Sequence, residues 1–474
     1  MDSANAGTST GTNLNSNTTI NTGTGVGNID IANNSATGTK ITTGYTGTAA
    51  HTINITDVGP DTSLTIGRTG TATTPTVVNA DGEAAADKLT ISAPGVVTLE
   101  TVHLDVGGGA GNQVESLDLS GNGAAATYNL DGTADLPTTV TFSGSQNVTM
   151  NMALAQSDAL NADAAGGVTD NSSATTTVQI SDTVTDGKTF LKTNSDILEF
   201  QAAVTAAATF TVNNGATVNM TTVDQTNAFV VKIDDGATTN GTAGSVTLGL
   251  AKATTGAITT DQSADALTAM TVNVTDTAQT ALILTAGATT DVTLTGDKDV
   301  TMTAASTNKT LNASAFTGKL SVTLAANMKD VTGGSGDDTF TGNGAVAASS
   351  TINGGAGNDQ YVTAGANNRN ENLTMTDIEV IDIGSAAAGA LTSNFKASQL
   401  SGKNFIINSD GADVLSIDGT VAAALIDLTS INLSTLQFAD TAAVVTLNVS
   451  AFDGSKFTSG QGFTVTGSTQ VNSI

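Results

Sequence analysis

Apolar and polar residues alternate in short runs along most of the chain, and glycine, asparagine or aspartate separates one run from the next. Typical runs are Ile53-Asn54-Ile55, Leu64-Thr65-Ile66 and Val246-Thr247-Leu248. Strict alternation over a few residues between turn-forming residues is typical of short β-strands with one buried face. From residue 178 to residue 331 such runs recur about every 8–20 residues. This pattern predicts a regular ladder of short strands.

Two all-β architectures could use such a ladder, a β-solenoid and a row of immunoglobulin-like sandwiches. Sandwich cores are wide and usually contain aromatic residues, whereas the thin core of a solenoid is filled by alanine, valine, leucine and isoleucine. Aromatic residues make up only 3% of this chain, and it has no tryptophan. We therefore predict an all-β fold, an elongated parallel β-solenoid or β-helix, with the sandwiches as the alternative.

Changes in composition predict three domains. Residues 1–165 form a Thr/Asn/Gly-rich β domain, although disorder is the alternative for so polar a stretch as residues 13–78. Residues 166–330 form the solenoid ladder, and residues 331–474 form a β domain that carries the motifs described next. An alanine-rich segment at residues 151–166 predicts a short helix at the first junction.

Two nine-residue motifs, GGSGDDTFT at residues 333–341 and GGAGNDQYV at residues 354–362, follow the pattern G-G-x-G-x-D-x-U-x, where U is a large apolar residue. This is the repeat of calcium-binding parallel β-rolls. The glycines are expected to adopt positive φ in a tight turn, and the aspartate offers the hard oxygen ligand that calcium prefers. Phe340 and Tyr361 are expected to bury their rings inside the coil. The predicted calcium-binding residues are Gly333, Gly334, Gly336, Asp337, Asp338, Gly354, Gly355, Gly357, Asn358 and Asp359.

The two motifs begin 21 residues apart, close to the length of one coil built from two nonapeptides. This spacing predicts that the two turns stack on the same edge, with calcium between them and shared by Asp338 and Asp359. Ordinary glycine–aspartate turns without a metal are the alternative. A third segment, residues 408–416, keeps only part of the pattern, so Gly411 and Asp413 are predicted as a weak calcium site.

Composition narrows the chemistry of the chain. Its 474 residues carry a net charge of −28, and six of the 43 acidic residues are glutamate, so almost all the acid is aspartate. So acidic a surface argues against nucleic acid as a partner. The chain has no cysteine, its two histidines, His51 and His103, stand alone, and it contains neither a G-x-S-x-G nor an H-E-x-x-H motif. We therefore expect no enzymatic activity. The chain contains no run of 18 apolar residues, so we predict no transmembrane segment.

Several of these features together resemble one family. The nonapeptides occur in a cysteine-free, Thr/Ala/Asn-rich chain with Glu-containing strands such as residues 378–383. An Asn-x-Ser-Ala-Phe-x-Gly phrase at residues 312–318 returns at residues 448–454 and differs there only at its two variable positions. The chain thus resembles the RTX-type S-layer proteins of Gram-negative bacteria, of the Caulobacter type. The clear resemblance covers about residues 290–474.

The resemblance implies type I secretion, calcium-dependent folding outside the cell and assembly of identical chains into a two-dimensional lattice on the cell surface. It also implies attachment to lipopolysaccharide, which we expect to involve a region not in this chain. The start of the chain, Met1-Asp2-Ser3, does not resemble a signal peptide. The alternative functions are an RTX adhesin stalk or binding module, and the carrier domain of a secreted RTX protein.

Overall fold

A computed structural model shows a parallel β-solenoid. It describes residues 137–383 with gaps at 163–165, 236–242, 264, 288, 305–309, 325–329, 343–349, 364–367 and 370–372. Outside that range it describes the strands named below together with residues 114, 125 and 399. The chain divides into two compact units, residues 1–223 with 232–240, and residues 224–231 with 241–474. The domain boundaries predicted at residues 165 and 330 stay predictions.

Among its described residues, the first unit contains short strands and one helix, α1 (Leu154–Ala162). Its strands are β1 (Ser9–Thr12), β2 (Thr18–Gly23), β3 (Ile29–Ala32), β4 (Lys40–Tyr45), β5 (His51–Val58), β6 (Thr62–Arg68), β7 (Thr76–Gly82), β8 (Lys88–Ala93), β9 (Val97–His103), β10 (Ser116–Gly121), β11 (Ala126–Leu130), β12 (Thr139–Gly144), β13 (Val148–Met152), β14 (Gly167–Asp170), β15 (Thr176–Ile180), β16 (Lys188–Phe190), β17 (Ile197–Phe200), β18 (Ala208–Val212) and β19 (Thr217–Met220). Most of the alternating runs read from the sequence therefore form strands.

Strands of the first unit pair with the strand two places along the chain, and each described pairing is parallel. Strands with even numbers from β2 to β14 form one sheet. Strands with odd numbers from β1 to β19 form a second sheet, and β16 pairs with β18 in a third. After each strand the chain completes one coil before it forms the strand that pairs with the first, as expected for a solenoid.

Alternating side chains fill the interior of the first unit. In β11, β13 and β15 every second residue is buried, as period-two alternation requires. Three phenylalanines on successive strands, Phe190, Phe200 and Phe210, stack with ring centroids 5.3 and 5.2 Å apart. Aromatic residues thus contribute to the core of this unit together with the aliphatic side chains expected in a solenoid.

The predicted helix is present but shorter than expected. Asn151 and Met152 belong to β13 instead, because Met150 and Met152 continue the buried alternation of that strand. The first helical residue, Leu154, donates its N–H to Asp182 Oδ2 at 2.9 Å, which satisfies one of the free donors at the helix start. Residues 163–165 of the prediction lie outside the described residues.

The second unit continues the same construction with shorter strands, and the boundary between the units falls within its first strand. Its strands are β20 (Phe229–Ile233), β21 (Ala243–Leu250), β22 (Ala257–Asp261), β23 (Ala266–Val274), β24 (Gln279–Thr285), β25 (Asp291–Gly296), β26 (Val300–Ala304), β27 (Thr310–Asn312), β28 (Leu320–Thr323), β29 (Asp330–Thr332), β30 (Thr339–Thr341), β31 (Thr351–Asn353), β32 (Gln360–Thr363), β33 (Asn368–Arg369), β34 (Thr374–Thr376), β35 (Val380–Ile383), β36 (Thr392–Lys396), β37 (Ile406–Ser409), β38 (Val414–Asp418), β39 (Val445–Val449) and β40 (Phe463–Gly467).

Three parallel sheets organise the strands from β21 onward. One contains β21, β23, β25, β27, β29, β31 and β34, and a second contains β22, β24, β26, β28, β30, β32, β35 and β37. The third joins β33, β36, β38, β39 and β40. Parallel pairing throughout the described strands confirms the β-solenoid and shows that the alternative of antiparallel sandwiches is wrong.

Register aligns buried side chains from coil to coil in the second unit. Four buried residues on successive strands of the first sheet are register partners of one another. They are Leu311, Val331, Ile352 and Met375. This in-register core fixes the turns at the ends of the same strands directly above one another. Among the described residues, no helix is long and apolar enough to cross a membrane.

Candidate metal-binding edge

Four consecutive turns stack on one edge of the second unit, and we call them together the turn edge. They comprise residues 313–318, 333–338, 354–359 and 377–379, which follow β27, β29, β31 and β34. The strands before the turns pair in register, and so do β28, β30, β32 and β35 after them. The two nonapeptide turns are therefore neighbours on the same edge. The Asn-x-Ser-Ala-Phe-x-Gly phrase forms the turn before them.

Close approach between successive turns explains the glycines of the first motif. A Cβ atom on Gly333 would collide with the Gly354 carbonyl oxygen, and one on Gly334 would collide with the Phe316 carbonyl oxygen. Neither glycine, nor Gly336, has a φ in the left-handed region. The expected positive φ is thus wrong for this turn, where glycine is needed for space. In the second motif Gly355 and Gly357 do have positive φ, 102° and 136°.

The carboxylate of Asp338 is completely buried and accepts two backbone hydrogen bonds. Leu320 N–H donates to Oδ1 at 2.8 Å, and Gly334 N–H donates to Oδ2 at 2.6 Å. Burial raises the pKa of Asp338 above its usual value, and the two N–H groups oppose that rise. Asp338 therefore ties its own turn to the coil before it.

Asp359 occupies the equivalent position in the second motif but is bonded differently. Its Oδ1 accepts the N–H of Asp338 at 2.8 Å, so the structure brings the two predicted ligands together. Its Oδ2 is buried and has no hydrogen-bond partner among the described residues. Burial, together with the neighbouring carboxylates of Asp338 and Glu379, raises the pKa of Asp359 to about 6, although the Asp338 N–H acts in the opposite direction.

The third acidic position of the turn edge, Glu379, was missed by the sequence analysis as a site residue. Its Oε2 accepts the N–H of Asp359 at 2.7 Å, as Asp359 accepts that of Asp338. Glu379 lies 20 residues after Asp359, which is one coil, and this spacing was the signal available in the sequence. The turn at residues 377–379 lacks the glycines of the two nonapeptide turns, so the nonapeptide pattern does not include Glu379.

The remaining predicted residues lie around this row of carboxylates. Asp337 and Asn358 are exposed, and Asn358 donates its N–H to Asp337 Oδ1 at 2.9 Å. Phe340 and Tyr361 are fully buried, as predicted, and burial raises the pKa of the Tyr361 hydroxyl. Gly411 and Asp413, the predicted weak site, lie outside the described residues.

The two histidines of the chain, His51 and His103, are strand residues of β5 and β9 in the first unit.

The oxygens of the turn edge fit a hard cation such as calcium. The Gly354 carbonyl oxygen and Asp338 Oδ2 both lie close to the position that a Cβ atom on Gly333 would occupy. The Asp377 carbonyl oxygen and Asp359 Oδ2 lie in the same way beside Gly354. Calcium is bound in proteins by carboxylate and carbonyl oxygens in flexible geometry. We call the space between residues 333–338 and 354–359 the first interval, and that between residues 354–359 and 377–379 the second interval.

Comparisons with known proteins add no relative to this picture. No protein-family model matches the chain, and neither a curated protein nor a solved structure was found to match it. The resemblance to RTX-type S-layer proteins therefore rests on the motifs and phrases of the sequence alone, and calcium binding and function follow as proposals.

Proposed function

We propose that this chain is a structural subunit of a calcium-dependent surface layer on a Gram-negative bacterium. The observation that carries the proposal is the in-register stack of the two nonapeptide turns, which repeats a buried carboxylate beside a carbonyl oxygen on one edge. Such a repeated oxygen site suits calcium, and a solenoid with calcium on its edge suits a building block. A structural rather than catalytic role is part of the proposal.

Calcium in the first interval would couple folding to export. Extracellular calcium modules bind with dissociation constants of about 10⁻⁴ to 10⁻³ M, so such sites are empty in cytosol and filled outside the cell. Because the ion binds only the folded turns, its binding free energy adds to the stability of the fold. The chain would therefore become stable where it is needed, at the cell surface.

Assembly follows from the same ion. Chains with a net charge of −28 repel one another when divalent ions are absent. Calcium at the turns and on surface aspartates reduces this repulsion, and exposed strand edges can then pair with other copies of the chain. The partner proposed here is thus the chain itself, with attachment to lipopolysaccharide through a region outside the given sequence and no nucleic acid.

Light scattering and negative-stain electron microscopy of the whole chain test this function. We expect ordered sheets in millimolar calcium, dispersal in chelator and poor assembly in magnesium, because magnesium demands octahedral geometry and releases its waters reluctantly. Assembly that is the same in all three conditions would contradict the proposal. A chain that stays monomeric in calcium would favour the adhesin or the carrier domain instead.

A further inference from the structure

We propose that the second interval is a calcium site of its own, held by Asp359 Oδ2, the Asp377 carbonyl oxygen and the Glu379 carboxylate. The proposal rests on the calcium-dependent function given above and deepens it. It places an ion after the last nonapeptide, where the sequence pattern assigns none. It also gives a binding role to two residues, Asp377 and Glu379, that belong to no glycine motif.

The first step is the unsatisfied oxygen of Asp359. The side chain is 0% exposed, and its Oδ2 has no hydrogen-bond donor among the described residues. A buried carboxylate oxygen without a partner is strongly unfavourable, because the protein interior solvates charge poorly. A cation beside Oδ2 removes that penalty.

The second step is the position of Oδ2. Oδ2 and the Asp377 carbonyl oxygen of the following turn both lie close to the position that a Cβ atom on Gly354 would occupy. A side chain on Gly354 would fill this space and overlap both oxygens. Two oxygens of different turns, one of them a carboxylate, thus converge where glycine leaves room.

The third step is the following turn, which is built to present oxygen. Asp377 has a φ of 50°, a left-handed conformation that aspartate tolerates better than most residues. Two residues later, Glu379 places its Oε2 on the N–H of Asp359, and Glu379 N–H donates to the Asp359 carbonyl oxygen at 3.0 Å. The half-buried Glu379 carboxylate therefore lies directly against residue 359.

The fourth step is charge. The carboxylates of Asp338, Asp359 and Glu379 lie on three successive turns and are joined through the N–H groups of Asp338 and Asp359. Like charges so arranged repel one another, and a divalent cation between two of them converts repulsion into attraction. The second interval has the larger need for such an ion, because the Asp338 carboxylate already accepts two N–H groups.

The test is the number of calcium ions that the whole chain binds, measured by equilibrium dialysis for wild type, Glu379→Gln, Asp359→Asn and Glu199→Gln. Glu379→Gln keeps an acceptor for the Asp359 N–H and removes the charge. Glu199→Gln is the matched control, since Glu199 is also half-buried and bonded to a neighbouring coil, through Gln179 Nε2 at 3.2 Å. We expect the first two variants to lose one ion, or to bind it at least about tenfold more weakly, and the control to equal wild type.

Thermal unfolding separates a binding role from a merely structural one. In chelator, Glu379→Gln is expected to unfold at the same temperature as wild type or higher, because it removes repulsion from Asp359. In calcium, the unfolding temperature of Glu379→Gln is expected to rise less than that of wild type. Wild-type calcium binding in Glu379→Gln would overturn the second site and leave the proposed function intact. A wild-type chain that binds no calcium would overturn both.

Discussion

The two nonapeptide turns share one consensus, yet they satisfy their aspartates differently. In the first turn the N–H of Gly334 donates to Asp338 Oδ2. In the second turn the equivalent N–H, that of Gly355, donates at 2.9 Å to Asn353 Oδ1, and Asp359 Oδ2 is left without a described donor. The Asp338 Oδ2 of the first turn thus accepts a hydrogen bond from its own turn, whereas the Asp359 Oδ2 of the second turn is available to bind a cation.

The residue before the motif makes this difference. Asn353 aligns with Thr332 across β29 and β31, and only the asparagine side chain captures the N–H two residues further on. Asn312, two coils before Asn353, does the same with Ser314 N–H at 3.0 Å. Such short-range capture is an ordinary property of asparagine before a turn. A position outside the nonapeptide therefore decides how available its carboxylate is.

The largest expected effect is that of calcium itself. At a concentration about ten times the dissociation constant, an ion that binds only the folded state adds about 1.4 kcal/mol per site, so two sites together add about 3 kcal/mol. We therefore expect the melting temperature of the whole chain to rise clearly from chelator to millimolar calcium, and less in magnesium. A melt that is unchanged by chelator would contradict the calcium account for both turns.

Replacing each aspartate by asparagine separates the two turns by the sign of the effect in chelator. Asp338→Asn leaves one of two backbone donors without an acceptor, so we expect destabilisation of about 1–3 kcal/mol. Asp359→Asn keeps the acceptor for Asp338 N–H and removes a buried charge, so we expect stabilisation. Denaturant unfolding of both variants measures this, and effects of equal sign would show that the turns do not differ as described.

Stability in chelator is also expected to depend on pH through Asp359. Its pKa in the folded chain is about 6, above the ordinary 3.8. The protonated form is therefore favoured by folding, and this contribution is complete below pH 3.8 and is lost as the pH rises through about 6. The loss amounts to at most about 3 kcal/mol. The difference in unfolding free energy between wild type and Asp359→Asn, measured at several pH values, isolates this contribution. A difference that does not change with pH would refute the assignment.

The smallest effect is expected from exchanging the residues before the motifs. Asn353→Thr frees the Gly355 N–H to donate to Asp359 Oδ2, which would weaken calcium binding at the second turn, with a stability change within about 1 kcal/mol. Thr332→Asn is the reciprocal change and is expected to make Asp338 more available. Calcium titration of both variants checks this, and affinities that shift in the same direction would contradict it.

Much of the fold was predictable because each strand carries its own alternation. The runs around Ile53, Leu64 and Val246 are strands, Phe340 and Tyr361 are buried, and the 21-residue spacing stacks the two motifs. These features depend on local pattern and on the length of one coil. The start of the helix was predicted too early, because β13 continues into residues where composition favours helix.

The site was only partly predictable because its details depend on neighbouring coils. Glu379 has no glycine frame, so only the register of β32 and β35 places it beside Asp359. The reason for Gly333 was also hidden, because the carbonyl of Gly354 that needs the space comes from the next coil. Contacts of this kind between residues one coil apart are set by stacking, which a motif does not express.

A crystal structure of the whole chain grown in calcium tests the central claim most directly, through anomalous difference density at the turn edge. We predict a peak in the second interval at about 2.3–2.6 Å from Asp359 Oδ2, with the Asp377 carbonyl and Glu379 around it, and a second peak in the first interval. Density that shows only a water or an N–H group at Asp359 Oδ2, with no ion at either interval, would contradict the account.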